Sequence, residues 1–502
     1  MKQFFKYLSK ICKKDEKIIL VFTGLLAIIA ATFEAINISA LIPLINSIIS
    51  PNQNIFANNQ YLVFLNELFS KNSIINYIII FSLIFFIKII YLLAFNWFVL
   101  NFLKKVERRV VTKLFRIYIN QSLNFFYTKK VSEILRNLTN EIGIFRGSLK
   151  DAIDLFVEIT LIIFILSLLF VISFKATFVI VILVGISSLL YIQATKKKIA
   201  KWAKERILYL NRYYQNVMQT FRLITEIKIF NVGEMFLERN TKNIRNLTNI
   251  VHYRTFIKIL PKLLLESIGV IFFVLIIFIL INSDANVNSI LVTLGIFLAS
   301  SIRIISSSNK LLIIYQNIKN SIPSLKLMTN ELSLIEINKD NNINLLKLKR
   351  NIELKNVYFS YKDKETEIFT DLNLEIKKNS FIGIFGKSGQ GKSTLIRIIS
   401  SLIKPDNGDL FVDGKRVEEK NFLNMSIIPQ ESNFFEGSIK ENITFTDNEE
   451  LINKDRLKKS LEITNLKENV FLKNKISIDT ELNDELKNFS GGQLQRIALS
   501  RA

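Results

Sequence analysis

The 502-residue sequence contains one cysteine, Cys12, and one histidine, His252. A lone thiol excludes an internal disulfide framework and a multi-cysteine zinc site. A lone imidazole excludes a two-histidine metal site and speaks against a histidine-based catalytic triad. With 16 glycines and 6 prolines, collagen-like and low-complexity chains are excluded as well. Half of the chain is Ala, Val, Ile, Leu, Met, Phe, Trp, Tyr or Cys, including 41 phenylalanines, which rules out intrinsic disorder. Gathered into long uninterrupted runs, these residues make a membrane protein of about three domain lengths.

Lys and Arg outnumber Asp and Glu by 66 to 43, a net charge of +23. Such an excess suits nucleic acid or anionic lipid. The basic clusters, however, coincide with the ends of apolar runs, so they read as flanks of membrane spans and no nucleic-acid partner is expected. Six runs of the ~20 residues that cross a bilayer precede residue 320, at 18–49, 74–103, 152–173, 176–194, 256–281 and 290–314. The first extends well past a signal-peptide core and has no small-residue cleavage site after it.

Basic residues alternate between rich and poor from one connecting segment to the next. Lys2, Lys6, Lys10, Lys13, Lys14 and Lys17 mark the N-terminus, whereas 50–73 holds only Lys71. Lys104, Lys105, Arg108, Arg109, Lys113 and Arg116 follow the second span, and the next turn holds only Lys175. Lys196, Lys197, Lys198, Lys201, Lys204 and Arg206 follow the fourth, and 282–289 has no basic residue. The positive-inside rule then puts both termini in the cytoplasm. Segments 104–150 and 195–255 keep a helical rhythm with little Gly or Pro, so the spans are expected to continue into the cytoplasm as helices. Short connecting helices are expected at 121–128 and 212–219.

Composition changes beyond about Pro323. A Lys- and Asn-rich linker, 326–349, separates a membrane domain, 1–325, from a soluble domain, 350–502. The apolar run Phe381-Ile382-Gly383-Ile384-Phe385 reads as a buried strand. It leads into Gly386-Lys387-Ser388-Gly389-Gln390-Gly391-Lys392-Ser393-Thr394 and then a helix-like segment. Strand, glycine loop and helix are the setting of a phosphate-binding G-x-x-x-x-G-K-[ST] loop. Gly386, Gly389 and Gly391 let backbone N–H groups curl around phosphate oxygens, and the helix N-terminus adds a favourable field. Lys392 is expected to reach the β- and γ-phosphates of ATP, and Ser393 to ligate Mg2+.

At this motif the chain resembles the ATP-binding cassette (ABC) transporters of the exporter type, over nearly its whole length. Phe489-Ser490-Gly491-Gly492-Gln493 is similar to the family signature L-S-G-G-Q, with Phe for the first Leu. The resemblance implies six long transmembrane helices followed by an α/β P-loop ATP-binding domain. It implies that the signature closes over nucleotide held by a second copy or a related half-transporter. Tyr361 then stacks on adenine, and Gln430, in Ile427-Ile428-Pro429-Gln430, contacts Mg2+ or water. In the family the next strand carries an Asp for Mg2+ and a Glu that activates water, and a histidine follows; the sequence stops at Ala502 without them, and His252 lies at a membrane span. The ATP-binding domain is thus expected to be truncated before the Walker B strand, leaving apolar faces of neighbouring strands exposed and ATP hydrolysis poor. Thr480-Glu481-Leu482-Asn483-Asp484-Glu485-Leu486 also lacks both glycines of the T-x-V-G-E-x-G common in exporters.

Charges inside apolar spans are costly and default to functional sites; they are Glu34, Lys88, Glu158, Glu266 and Arg303. Lys88 lies about 21 Å along its helix from the outer end of its span, and Arg303 has a similar depth. Lys88 and Arg303, with Glu34 as a further cavity candidate, either line a cavity that holds an anionic headgroup such as a pyrophosphate, or form internal ion pairs with Glu34, Glu158 or Glu266, or snorkel toward the interface. Residues 33–43 and 261–269, with Lys88, are similar to bacterial flippases for lipid-linked oligosaccharides. That resemblance implies a homodimer in the bacterial cytoplasmic membrane that flips a polyprenyl-pyrophosphate oligosaccharide, driven by ATP. The alternatives are a general lipid or drug exporter, a non-catalytic nucleotide-binding subunit, and an inactive truncated copy.

Overall fold

In lipid every backbone N–H and C=O must be satisfied within the protein, and apolar runs poor in glycine and proline do so as helices. A computed structural model of the chain describes residues 1–40, 74–281, 287–334, 344–361, 367–417, 421–430, 432–472, 476–482 and 489–502. It divides into two compact units, Met1–Lys339 and Asp340–Ala502. The first comprises α1 (Lys2–Ile11), α2 (Lys14–Ser39), α3 (Ile74–Ile119), α4 (Leu123–Thr128) and α5 (Val131–Arg136). A π-turn (Asn137–Glu141) leads into α6 (Ile142–Ile172), followed by α7 (Phe174–Arg222), α8 (Ile224–Ile229), α9 (Gly233–Ile281) and α10 (Val287–Leu332).

Six of these helices are long and apolar enough to cross a membrane, as the six apolar runs predict. The part of the first run beyond residue 40 lies outside the described residues. With 49 residues, α7 runs about 74 Å at the helical rise, against a hydrocarbon core of ~30 Å. Ile78, Leu83, Phe86, Ile90, Leu93 and Trp97 of α3 remain exposed, an arrangement suited to lipid rather than water.

The helix ends differ from the sequence reading in two places. The first connector matches α4, but 212–219 stays inside α7, and the second connector is α8. Nothing in 212–219 interrupts the ladder; the break comes at Leu223 (φ −100°, ψ 21°), and the left-handed Asn231 (φ 52°) then turns the chain into α9. At the other end, α10 continues to Leu332, into the segment read as a linker. Met328 in that segment and Leu325 just before it are fully buried, and their burial outweighs the polar composition around them.

Phe4, Leu8 and Ile11 of α1 share one buried cluster with Val106, Val110 and Leu114 of α3, Phe145 and Leu149 of α6, and Ile318 of α10. Arg109 locks the junction of α1 and α2: it donates to both Glu16 oxygens at 2.6 and 2.7 Å and to the Ile11 carbonyl at 3.1 Å. Cys12 is buried at this junction. Burial, with the Glu16 carboxylate beside it, pushes its thiol up to about 11, so it stays protonated. A second cluster joins Ala31, Leu161, Ile165, Leu169, Ile180, Phe272, Ile276, Ile296 and Phe297.

Pro261 lies inside α9 and has no N–H for the Ile257 carbonyl one turn back. Tyr191 of α7 supplies the missing donor at 2.6 Å, and Gln316 of α10 donates to the Tyr191 hydroxyl at 2.6 Å.

In the second unit β1 (Asn344–Leu346) precedes β2 (Asn351–Phe359), β3 (Phe369–Lys377), α11 (Lys392–Ile399), β4 (Asn407–Val412), β5 (Lys415–Arg416) and β6 (Asn421–Leu423). β2 pairs antiparallel with β3 and β4, and β4 with β5; β1 pairs parallel with β6. Ile352, Leu354, Val357 and Phe359 of β2 are buried; the switch from even to odd positions follows from an irregularity between Leu354 and Val357. The segment 410–414 is a strand leading into a turn, as its sequence suggests, with Asp413 accepting N–H bonds from Lys349, Arg350 and Asn351 at 2.5–3.0 Å. Further on, β7 (Gly437–Ser438), α12 (Ile439–Thr444), α13 (Lys454–Ile463), β8 (Glu481–Leu482) and α14 (Gly491–Arg501) enclose Ile439, Ile443, Leu466, Leu482 and Ile497.

The expected buried strand at 381–385 is not formed. Phe381 and Phe385 are fully or almost fully exposed, at 102% and 94%. A buried strand needs ladder partners and a covered face, and among the described residues no strand pairs with this segment.

Candidate functional site

The glycine loop is built from backbone conformations that side chains resist. Gly389 (φ 87°) and Gly391 (φ 89°) are left-handed. A Cβ on Gly391 would stand 2.5 Å from Ile368 Cγ2 and 2.9 Å from Phe369 Cζ. Gln390 closes the loop, its Oε1 accepting from the Lys387 N–H at 2.8 Å. Lys392 lies across the loop, donating to the Gly386 and Lys387 carbonyls at 2.7 and 2.8 Å. α11 starts at Lys392 with Gly391 as its N-cap, so its free N–H groups open toward the loop. Ser393 at this end is exposed. The set fits a polyphosphate: flexible backbone donors, one ammonium and one accessible hydroxyl. Gly391→Ala is expected to cost about 2 kcal/mol or more, from φ strain and overlap together, and to weaken ATP binding at least tenfold; thermal unfolding and a binding titration would measure both.

Tyr361 is tied to the same helix. Its hydroxyl is 3.2 Å from Thr394 Oγ1 and accepts from Arg397 at 3.4 Å, while its ring meets Phe359 edge-on at 5.0 Å. Gln430 lies in an exposed segment, and no hydrogen bond joins it to Ser393 among the described residues. Tyr361, Thr394 and Lys392 therefore share one end of α11, and Gln430 is not brought to it by direct contact.

The signature segment begins α14 with a capping box. Ser490 Oγ accepts from the Gln493 N–H at 3.3 Å, and Gln493 Oε1 accepts from the Ser490 N–H at 2.8 Å. Gly491 and Gly492 have open space where a Cβ would be, leaving the helix start accessible. Phe489 packs on the small core of this region. The other end of α14 is fixed by Arg501, which donates to the Asn442 and Asn433 carbonyls at 2.7 and 3.0 Å and stacks over Phe434 and Phe445. Neither Gln390 nor Arg501 was legible as a site residue; Gln390 occupies a variable position of the motif, and Arg501 binds carbonyls distant in sequence. Residues 483–486, of the stretch without glycines, lie outside the described residues.

In the membrane unit Lys88 and Arg303 converge on Glu34, at 2.8 and 3.1 Å. Glu158 pairs with Lys310 at 2.9 Å, and Glu266 with Lys262 at 3.9 Å. Of the readings open in the sequence, direct pairing to Glu34 is present. It leaves two cations around one carboxylate.

The model of the ABC transporter transmembrane region matches residues 18–306, and the ABC transporter model matches residues 369–502. An export ATP-binding/permease protein of Rickettsia conorii is 25% identical over 427 residues, which cover 81% of this chain and 71% of the relative. Its counterpart in Rickettsia typhi is 25% identical over 429 residues, with the same coverage. The exotoxin translocation ATP-binding protein PaxB of Pasteurella aerogenes is 33% identical over 181 residues, 34% of this chain and 23% of that one.

Proposed function

This chain belongs to the ABC transporters, with the transmembrane and ATP-binding domains of an exporter fused, and from that premise we propose that its cargo is a lipid-linked anion, best matched by a polyprenyl-pyrophosphate oligosaccharide. ATP-driven transport across a membrane is the activity of such an exporter; the cargo is the added step. It rests on one observation: Lys88 and Arg303 share the single carboxylate of Glu34 inside the apolar part of the bundle. A net positive charge there is expensive, and a pyrophosphate headgroup would offset it.

In this reading Lys392 and the N–H groups around Gly386, Ser388, Gly389 and Gly391 hold the ATP phosphates, Ser393 and Gln430 hold Mg2+, and Tyr361 carries the adenine. Thr394 positions Tyr361 through the hydroxyl contact. The open face of Ser490, Gly491, Gly492 and Gln493 receives the nucleotide of a second copy, so the working unit is a dimer. Both termini lie in the cytoplasm of a bacterial cell, and the protein spans its cytoplasmic membrane.

Flipping in proteoliposomes is the test. Lys88→Ala and Arg303→Ala are each expected to lower flipping of a polyprenyl-pyrophosphate glycan at least about tenfold, the scale of one buried charge-assisted contact. Export of a neutral lipid dye should stay within twofold. Unchanged glycan flipping would favour a general lipid or drug exporter instead.

A further inference from the structure

Away from both sites, the membrane unit buries another charged cluster, where α5 meets α6. The join is the π-turn Asn137–Glu141, a geometry rare in helices and frequent at functional positions. Glu141 is fully buried, and Arg136 and Arg206 are only 5% and 7% exposed. Arg206 of α7 holds one Nη2 at 3.3 and 3.4 Å from the two Glu141 oxygens and donates to Ser324 Oγ of α10 at 2.9 Å. Arg136 stands on the other side, its Nε 3.9 Å from Glu141 Oε1 and its Nη2 donating to Asn137 at 2.9 Å.

One carboxylate thus serves two guanidiniums, and the Nε of each is buried without a hydrogen-bond partner. A half-satisfied buried network is worse for stability than an apolar core, so a purely structural role explains it poorly. The same turn is wired to the first connector. Asn137 donates to the Tyr118 hydroxyl at 2.9 Å, that hydroxyl donates to Glu331 near the end of α10 at 2.9 Å, and Lys129, which ends α4, pairs with the same Glu331 carboxylate.

We propose that Glu141 is a partner-exchange carboxylate that positions α7. Held by Arg206, it steadies the guanidinium that binds Ser324 and so clamps α7 to α10; turned to Arg136, it releases α7 while remaining neutralised. Each arrangement leaves the other guanidinium wanting, so neither is locked and a small bias decides between them. The Asn137–Tyr118–Glu331–Lys129 chain connects that choice to α4. The proposal is independent of what the protein carries.

Spin labels on the exposed positions Lys204→Cys and Lys326→Cys, in the full chain in lipid nanodiscs, report the α7–α10 distance with and without Mg-ATP. The native Cys12 thiol is buried and protonated and does not compete for label. Two distance components are expected, with a ratio that nucleotide changes. Arg136→Gln removes the receiving partner and should enrich the shorter component about tenfold, whereas Arg206→Gln should enrich the longer one about tenfold. Packing damage would not give opposite signs. Should Arg206→Gln fail to fold, Ser324→Ala removes one hydrogen bond without altering charge, and a shift of about threefold toward the longer component is expected. A single distance insensitive to nucleotide, or both arginine variants moving the ratio the same way, overturns the proposal.

Discussion

A Lys392→Ala variant is expected to lose at least about 100-fold in ATP retention and in ATP-driven transport, the scale of removing one preorganised charge from a phosphate site. Two roles disappear together. The ammonium is the charge nearest the loop interior, and its bonds to the Gly386 and Lys387 carbonyls at 2.7 and 2.8 Å brace the loop. Lys387→Ala is the internal control: that side chain is exposed, and retention should stay within about twofold, since a solvated surface charge contributes little. Filter retention of labelled ATP separates the two variants directly. Equal losses in both would mean that general basic charge, not the loop, holds the nucleotide.

Glu34→Leu is expected to destabilise the membrane unit by about 3–5 kcal/mol, because it leaves Lys88 and Arg303 facing each other in apolar surroundings. The remedy is as informative as the damage. Adding Lys88→Met to Glu34→Leu removes one of the stranded cations and should restore part of the lost stability, a coupling that a double-mutant cycle measures. Thermal unfolding in detergent is the readout. A Glu34→Leu protein that unfolds like the wild type would mean that water, and not this carboxylate, neutralises the pair.

The loop Gly386–Thr394 and the signature-like segment Ser490–Gln493 were legible because their patterns are local, each set by particular residues within a few positions; the capping box that opens α14 was not among those readings. The six spans were legible from length and apolarity alone. Pairings across the bundle were not. Charge and depth single out Lys88, Arg303 and Glu34 individually, but which carboxylate each cation meets depends on helix rotation. The position of α8 escaped for a related reason, since the chain turns at Leu223 without a glycine or proline to announce it. Arg206 reads in the sequence as one more basic flank and Glu141 and Arg136 carry no local signal, because sequence periodicity does not show that a π-turn buries them together. At 381–385 composition indicated a strand, and composition cannot supply its ladder partners.

The capped carbonyl at Ile257 has a mechanical corollary. Since Tyr191, itself held by Gln316, rather than α9's own ladder, satisfies it, the hydrogen bonding of α9 at Pro261 depends on two other helices. Withdrawing α7 would uncap that oxygen and turn the proline into a pivot. Translation of one long helix would thereby flex another, with no loop needed between them.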